Sequence, residues 1–237
     1  MKIDVITYHD SIYDRQISES TVVVIDVLRC TSAMINAFRN GCTRIIPVVE
    51  AGDAIMLARN IGRSDCVVGG ERGCNIVPGF DVGNSPFEYT GERVKGKTVI
   101  VSTSNGTNAI CGVSKAKKVY IGAMSNSCAC AKCAAQSDND VLFVCSGTNG
   151  MISADDCIAC GSIISHMLDS GTDCSLSDFA MICTELYEAW RDGRFDLLKT
   201  YHCGRLINLG YGKDVDFCLT EDTTQLVPVF EDGVISI

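Results

Sequence analysis

Histidine is scarce in this chain, with three residues in 237. Positive charge is also in deficit: 20 Lys and Arg stand against 29 Asp and Glu, for a net charge of −9. That balance argues against a nucleic-acid binder, whose affinity for the phosphate backbone comes mostly from Lys and Arg. It leaves room for a small anionic ligand, because a pocket can be locally positive inside an acidic protein. Long apolar runs are missing too, and nothing approaches the roughly 20 residues that a membrane helix needs. The start, "MKIDVITYHD", interleaves charges with apolar residues instead of carrying the apolar core of a secretory signal. A soluble cytoplasmic protein with no membrane partner is expected, and the pattern fixes no oligomeric state.

Cysteine, by contrast, is abundant: fifteen residues, an odd number. Most lie in apolar or alanine-rich surroundings, such as Cys145 in "VLFVCSG" and Cys183 in "AMICTEL". Without a secretory signal these read as small buried hydrophobes in a reducing compartment. The clusters "CACAKC" (Cys128, Cys130, Cys133) and "CIAC" (Cys157, Cys160) have spacings that zinc or iron–sulfur sites also use. Both sit in segments that read as helical, where i and i+3 share a face with or without a metal, so helix-face filler is the expectation.

An apolar fraction of 46% supports a real core, and no linker or low-complexity tract divides residues 1–237, so one domain is expected. The recurring unit is a short apolar β run, a Ser/Thr/Asn/Gly turn, and a stretch with helical spacing. "TVVVID" leads into "CTSAMINAFRNG", "KTVIV" into "STSNGTNAICG", and "DVLFV" into "CSGTNGMISADDCIACG". Strands separated by helices pair in parallel with helices on both faces. The fold class expected is therefore three-layer α/β/α with a largely parallel sheet. "VVVIDVLRCTSAMINAF…TRIIPV" and "TVIVSTSNGTNAICGV…KKVYIGA" share one grammar, either an internal duplication or the common habit of βαβ units. Between Gly69 and Gly96 the rhythm breaks into a glycine-rich loop with no room for an ordinary helix, and such loops are usually functional. The tail reads as helices followed by one final strand, "LVPVFEDGVISI".

In open α/β sheets ligands gather outside the carboxyl ends of the strands. Asp26 ends a buried β run, a common seat for a Mg²⁺ ligand or a phosphoryl-transfer nucleophile, with capping of the next helix as the plain alternative. Arg29, Thr31 and Ser32 follow it. Thr103, Ser104, Asn105, Gly106 and Thr107 form a hydroxyl-rich turn that can donate to a phosphate or sulfonate, or simply cap a helix. Glu71 and Arg72 lie in the glycine-rich loop with Asn84 and Ser85, where an arginine can clamp an oxyanion. Asp155 and Asp156 open a further helix and add hard-oxygen ligands. His9, His166 and His202 fall outside all of these motifs and are expected at surface or helix positions, with a catalytic general-acid histidine as the lesser alternative.

Taken together, "DVLRCTSAM", "GGERGCNIVPGFDVGNSPFEY", "STSNGTNAI" and "CSGTNGMISADDCIACG" resemble the 2-phosphosulfolactate phosphatase family, from about Val22 to Gly161 and more diffusely beyond. The chain departs from the family pattern at Ser104, where a threonine is usual, and at Cys30, where an alanine is usual and where a thiol is an oxidation liability. The resemblance implies a layered α/β, Mg²⁺-dependent phosphatase that converts 2-phospho-3-sulfolactate to 3-sulfolactate and phosphate, as in coenzyme M biosynthesis. On that footing the metal is expected on carboxylates from Asp26, Glu71 and Asp156. Donors to the small phosphorylated acid would come from Thr31, Ser32, Asn84, Ser85 and the Thr103–Thr107 turn. Asp26, Arg29 and Arg72 would carry the chemistry, with metal-activated water as the nucleophile or, in second place, Asp26 itself. Another small phosphorylated hydroxy acid, or a non-catalytic anion-binding module, are the alternatives. The acid cluster speaks against the module, because without a metal it would repel the anion.

Overall fold

The computed structural model describes residues 1–9 and 17–237. β2 (Thr21–Ile25) lies between β7 (Lys118–Gly122) and β8 (Val141–Cys145) and runs parallel to both. Its side chains alternate between two buried faces, which is why the sequence shows a continuous β-branched run. Val23 and Ile25 enter one core, Val22 and Val24 the other. β1 (Lys2–Ile6) extends this parallel block beside β8, and β9 (Ser175–Leu176) closes its edge. A second parallel block holds β4 (Cys66–Arg72), β6 (Thr98–Ser102) and β3 (Arg44–Pro47), with the short β5 (Asn75–Ile76) antiparallel on β4.

The chain end joins the blocks. "LVPVFEDGVISI" forms an antiparallel hairpin, β10 (Val229–Glu231) and β11 (Val234–Ser236), in place of the single strand expected. The reason is Asp232-Gly233, both with positive φ, a pair suited to a two-residue turn. β10 pairs with β7 and β11 with β3, so the eleven strands run β5-β4-β6-β3-β11-β10-β7-β2-β8-β1-β9. Pro47 is tolerated inside this ladder because β11 pairs with β3 only at Ile45.

This order is symmetric about the hairpin: β3 answers β7, β6 answers β2, and β4 answers β8. The crossovers match, since β2 reaches β3 through α1 (Cys30–Arg39), and β6 reaches β7 through α4 (Gly106–Gly112). α2 (Ala51–Ile61) and the single turn α3 (Gly91–Val94) belong to the second block. Three successive antiparallel steps make the two blocks run in opposite directions. Five ladder steps separate β6 from β2, and at roughly 20–25° of twist per step the strand direction turns through about a right angle. Strands opposed in the ladder thereby bring their carboxyl ends to one cleft.

Helices cover both faces, giving the three-layer α/β/α build. α1 and α4 pack on one core, which both blocks share. α5 (Ser127–Ala135), α6 (Ala154–Asp169) and α7 (Asp178–Arg191) cover the other face of the first block, and α2 covers that of the second. α8 (Tyr201–Asn208) and α9 (Gly212–Cys218) close over the strand ends. The "CIAC" thiols belong to packing: Cys157 and Cys160 of α6 are buried in one core with Cys145 of β8 and Cys183 of α7. No helix of the described residues is long and apolar enough to cross a membrane.

α6 and α7 touch closely because Gly161 lacks a side chain, and a Cβ there would overlap the Cys183 carbonyl. Gly161→Ala is expected to destabilise the protein by about 1–3 kcal/mol in urea unfolding, the usual cost of overpacking. A change below about 0.5 kcal/mol, the ordinary surface-substitution range, would show that the helices have room to part.

Candidate active site

Four strand ends and one helix line a single cleft. The end of β2 brings Asp26 and Arg29, β4 brings Glu71, the turn after β6 brings Ser104 and Asn105, and the loop after β8 brings Thr148 and Asn149. Asn84 of the glycine-rich loop faces the same space, and α8 adds His202 and Arg205. The cleft is small, open at its mouth and lined mainly by polar groups.

Asp26 is buried where β2 turns into α1. Its Oδ1 accepts from the Cys30 amide at 3.3 Å, and Gly106 allows Oδ2 its position, because a Cβ there would stand 2.5 Å from that oxygen. Burial raises its pKa to about 6, against the Cys30 hydrogen bond and the His202 charge, with Glu71 and Asp155 adding to the rise. Cys30 itself is fully buried and accepts from the Thr103 hydroxyl at 3.6 Å. Burial and the nearby Asp26 charge push its thiol well up, so the oxidation liability expected of it is removed.

Several residues expected on the substrate instead hold the site's own backbone. The Thr31 hydroxyl donates to the Asp26 carbonyl at 2.9 Å and Ser32 to the Val27 carbonyl at 2.8 Å. Thr103 and Thr107 bond reciprocally around their turn. The Ser85 hydroxyl donates to Asp214 at 2.9 Å. Asp214 also receives Arg29 at 2.7 Å in a buried ion pair, while the guanidinium lies 4.0 Å from the centre of the Tyr211 ring. Arg72 does not line the cleft: its guanidinium donates to the carbonyls of Glu71 and Val49 and to the Ser102 hydroxyl. Of the expected binding groups, Asn84, Ser104 and Asn105 line the cleft, and Gly106 abuts Asp26.

The carboxylates divide in the same way. Asp156 does not line the cleft; its oxygens accept from the amides of Val27 (2.9 Å) and Gly147 (3.1 Å) and from the Ser146 hydroxyl (3.2 Å). Burial, then the charges of Asp155 and Asp26, raise its pKa well above the usual carboxylate range. Glu71 accepts from the Cys74 amide at 2.7 Å and the Ser104 amide at 2.8 Å, and it does line the cleft. Among the described residues no three His, Cys, Asp or Glu side chains are gathered as an all-protein metal cage. Mg²⁺ does not require one, since it takes one or two carboxylates with waters and substrate oxygens. The buried Asn84 Oδ1 has no hydrogen-bond partner within the described structure, which marks an unmet hard-oxygen acceptor beside Asp26 and Glu71. Asp26, Glu71 and Asn84 line the cleft and fit a magnesium site; Asp156, which does not line it, does not.

His202 and Arg205 are site residues that sequence reasoning missed. The His202 Nδ1 lies 3.3 Å from Asp155 Oδ2 and 3.2 Å from the Thr148 hydroxyl, and the Ser153 hydroxyl donates to Asp155 at 2.5 Å. Burial works against protonation here, but the Asp155 hydrogen bond and charge, with Cys74 and Asp26, outweigh it and lift the pKa to about 10. The available signal was His202 and Arg205 at i and i+3, a basic pair on one helix face of an acidic chain. Of the other histidines, His9 bonds the Ser146 carbonyl and His166 pairs with Asp222.

The family described as "2-phosphosulpholactate phosphatase" matches residues 6–233 of this chain. A "Probable 2-phosphosulfolactate phosphatase" of Caldanaerobacter subterraneus subsp. tengcongensis is 41% identical over 228 residues, 96% of this chain and 94% of that protein. Proteins of the same name from Clostridium novyi (40%, covering 97% of each chain) and Clostridium acetobutylicum (39%, covering 99% and 100%) are similar throughout.

The raised pKa of His202 has a definite sign. Measured from an unfolded value of about 6.5, its contribution to stability is complete below that pH and is lost as pH rises through about 10. NMR of the imidazole carbons is expected to show a midpoint near 10, and Asp155→Asn should bring that midpoint down. A wild-type midpoint near the ordinary histidine value would contradict the Asp155 pairing.

Proposed function

The chain belongs to the 2-phosphosulfolactate phosphatase family of phosphoric monoester hydrolases, and we propose that its cleft hydrolyses 2-phospho-3-sulfolactate to 3-sulfolactate and phosphate with Mg²⁺ as cofactor. The observation that carries this reading is the gathering of two kinds of group in one small cleft. Asp26, Glu71 and the unpartnered Asn84 Oδ1 offer oxygens, while Arg29, His202 and Arg205 offer positive charge. A substrate with phosphate, carboxylate and sulfonate groups needs both.

Asp26, Glu71 and Asn84 would hold the metal, and the chemistry it supplies when bound is neutralisation of charge on the phosphate oxygens. The chain's own contribution is orientation and charge. Ser104 and Asn105 donate to phosphoryl oxygens from the turn after β6. Arg29, fixed by Asp214 and Tyr211, presents its charge at the β2 end without having to reorganise, the condition under which electrostatic stabilisation is strongest. Arg205, whose Nη2 donates to the Gly73 carbonyl at 3.1 Å, adds a second guanidinium to the cleft lining for the carboxylate or sulfonate.

Phosphate release from 2-phospho-3-sulfolactate, assayed with Mg²⁺ and with a chelator, tests this reading. Hydrolysis is expected only with the metal, and at least tenfold faster in kcat/KM than for 2-phospholactate, which lacks the sulfonate. Asp26→Asn is expected to lower kcat/KM by on the order of 10³-fold, about 4 kcal/mol of barrier. Turnover within about tenfold of wild type, about 1.4 kcal/mol, would remove Asp26 from the chemistry. Tight sulfolactate binding with no phosphate release under any condition would favour an anion-binding module.

A further inference from the structure

We propose that His202 is the general acid of the reaction, delivering a proton to the substrate's bridging oxygen as the P–O bond breaks, with Asp155 as its positioning residue. The inference rests on hydrolysis of a phosphomonoester in this cleft, but not on which one.

The chemical need comes first. Phosphoryl transfer passes through a loose transition state in which negative charge builds on the leaving oxygen. An aliphatic secondary alkoxide is a poor leaving group, so a proton must reach it during cleavage. General acids supply that step at a gain of about 10²–10⁴ in rate.

The cleft narrows the choice of donor. Three cations line it within the described structure, and two are arginines, whose guanidinium does not give up a proton in proteins. Arg29 is also held in its ion pair with Asp214. Glu71 has both oxygens engaged as acceptors for backbone amides, those of Cys74 and Ser104. His202 is the remaining cation, and its environment is that of an oriented acid. Asp155, 1% exposed, takes Nδ1, while Ser153 and Thr148 fix the carboxylate and the ring from either side. With Nδ1 committed to Asp155, Nε2 carries the proton that can move. His202 lines the cleft beside Cys74, so the ring borders the space where substrate sits. Its side chain is 13% exposed, enough to exchange a proton with solvent between turnovers.

The step balances without any further reactant. Water oxygen forms the new P–O bond and releases one proton to solvent. The bond from phosphorus to the bridging oxygen breaks, and its electron pair stays on that oxygen, which takes the His202 proton to become the hydroxyl of the product acid. Neutral His202 then regains a proton from solvent, and inorganic phosphate leaves.

Leaving-group dependence distinguishes this role from a merely structural one. p-Nitrophenyl phosphate releases a phenolate that needs no proton, whereas glycerol 2-phosphate and 2-phospho-3-sulfolactate release secondary alkoxides. His202→Gln is expected to cut kcat about 10²–10⁴-fold on the alkyl esters, with a loss at least about tenfold smaller on the aryl ester. Asp155→Asn keeps the ring in place and guards against a misfolded His202 variant. It should draw the alkaline limb of the alkyl-ester rate to lower pH and leave the aryl-ester profile unmoved. Equal losses on both ester classes, or a rise in KM alone, would overturn the assignment. If wild type cleaves glycerol 2-phosphate but not 2-phospho-3-sulfolactate, the substrate reading falls and the role of His202 stands. If it cleaves no phosphomonoester, both fall.

Discussion

The site depends on two buried carboxylates that tie strand ends together. Asp156, at the start of α6, accepts from Val27 beyond β2 and from Gly147 and Ser146 beyond β8. Glu71, at the end of β4, accepts from Cys74 in its own hairpin and from Ser104 beyond β6. Chain segments leaving parallel strands carry amides with no ladder partner, and leaving one of those buried and unpaired costs about 1–3 kcal/mol. Each carboxylate satisfies at least two such donors at once. The two braces also respect the symmetry of the sheet, since β8 and β2 on one side of the hairpin answer β4 and β6 on the other. The duplicated grammar of the sequence therefore has a counterpart in how the two blocks are held at their ends.

With those ends fixed, the remaining polar groups can be specialised. Asp26 is free of bracing duty apart from one long bond to Cys30, and Gly106 leaves space against it. Arg29 shows the complementary case. A buried guanidinium without a partner would be far more costly than the pair it forms with Asp214, so Asp214, Ser85 and Tyr211 together make its position possible. That ion pair joins the β2 end to α9, and it anchors the closing helices over the cleft.

The fold class was legible because its signal is local. Runs such as "VVVI" and "VLFV" can be buried on both faces only in a covered parallel sheet, and the turns that follow them carry helix starts. The strand-end location of the site was legible for the same reason, and Asp26, Glu71, Asn84, Ser104 and Asn105 do line it. What the sequence did not disclose was the partner of each polar group. An aspartate that braces two loops and one that faces a ligand look alike in "SADDC", where Asp155 orients His202 and Asp156 binds backbone. Thr31, Ser32 and Arg72 read as ligands for the same reason, yet their donors reach carbonyls and a hydroxyl nearby. The final hairpin was hidden because two three-residue strands around Asp232-Gly233 resemble one longer run.

His202 was unreadable for a different physical reason: its meaning arises from a contact 47 residues away in the chain. On its own helix it is an ordinary polar residue one turn from Arg205. Only when α8 closes over the strand ends does Asp155 come within reach, and His202 and Arg205 then join Arg29 in lining the cleft. An acidic protein that binds a polyanion must arrange this, since a diffuse net charge of −9 repels such a ligand at long range. The structure meets that constraint by spending its carboxylates on backbone amides inside the fold. Glu71 and Asp156 accept from backbone amides, while Arg29, just ahead of α1, and His202 and Arg205 of α8 line the cleft. The same residues that make the chain look hostile to a phosphorylated acid are those that hold its binding site open.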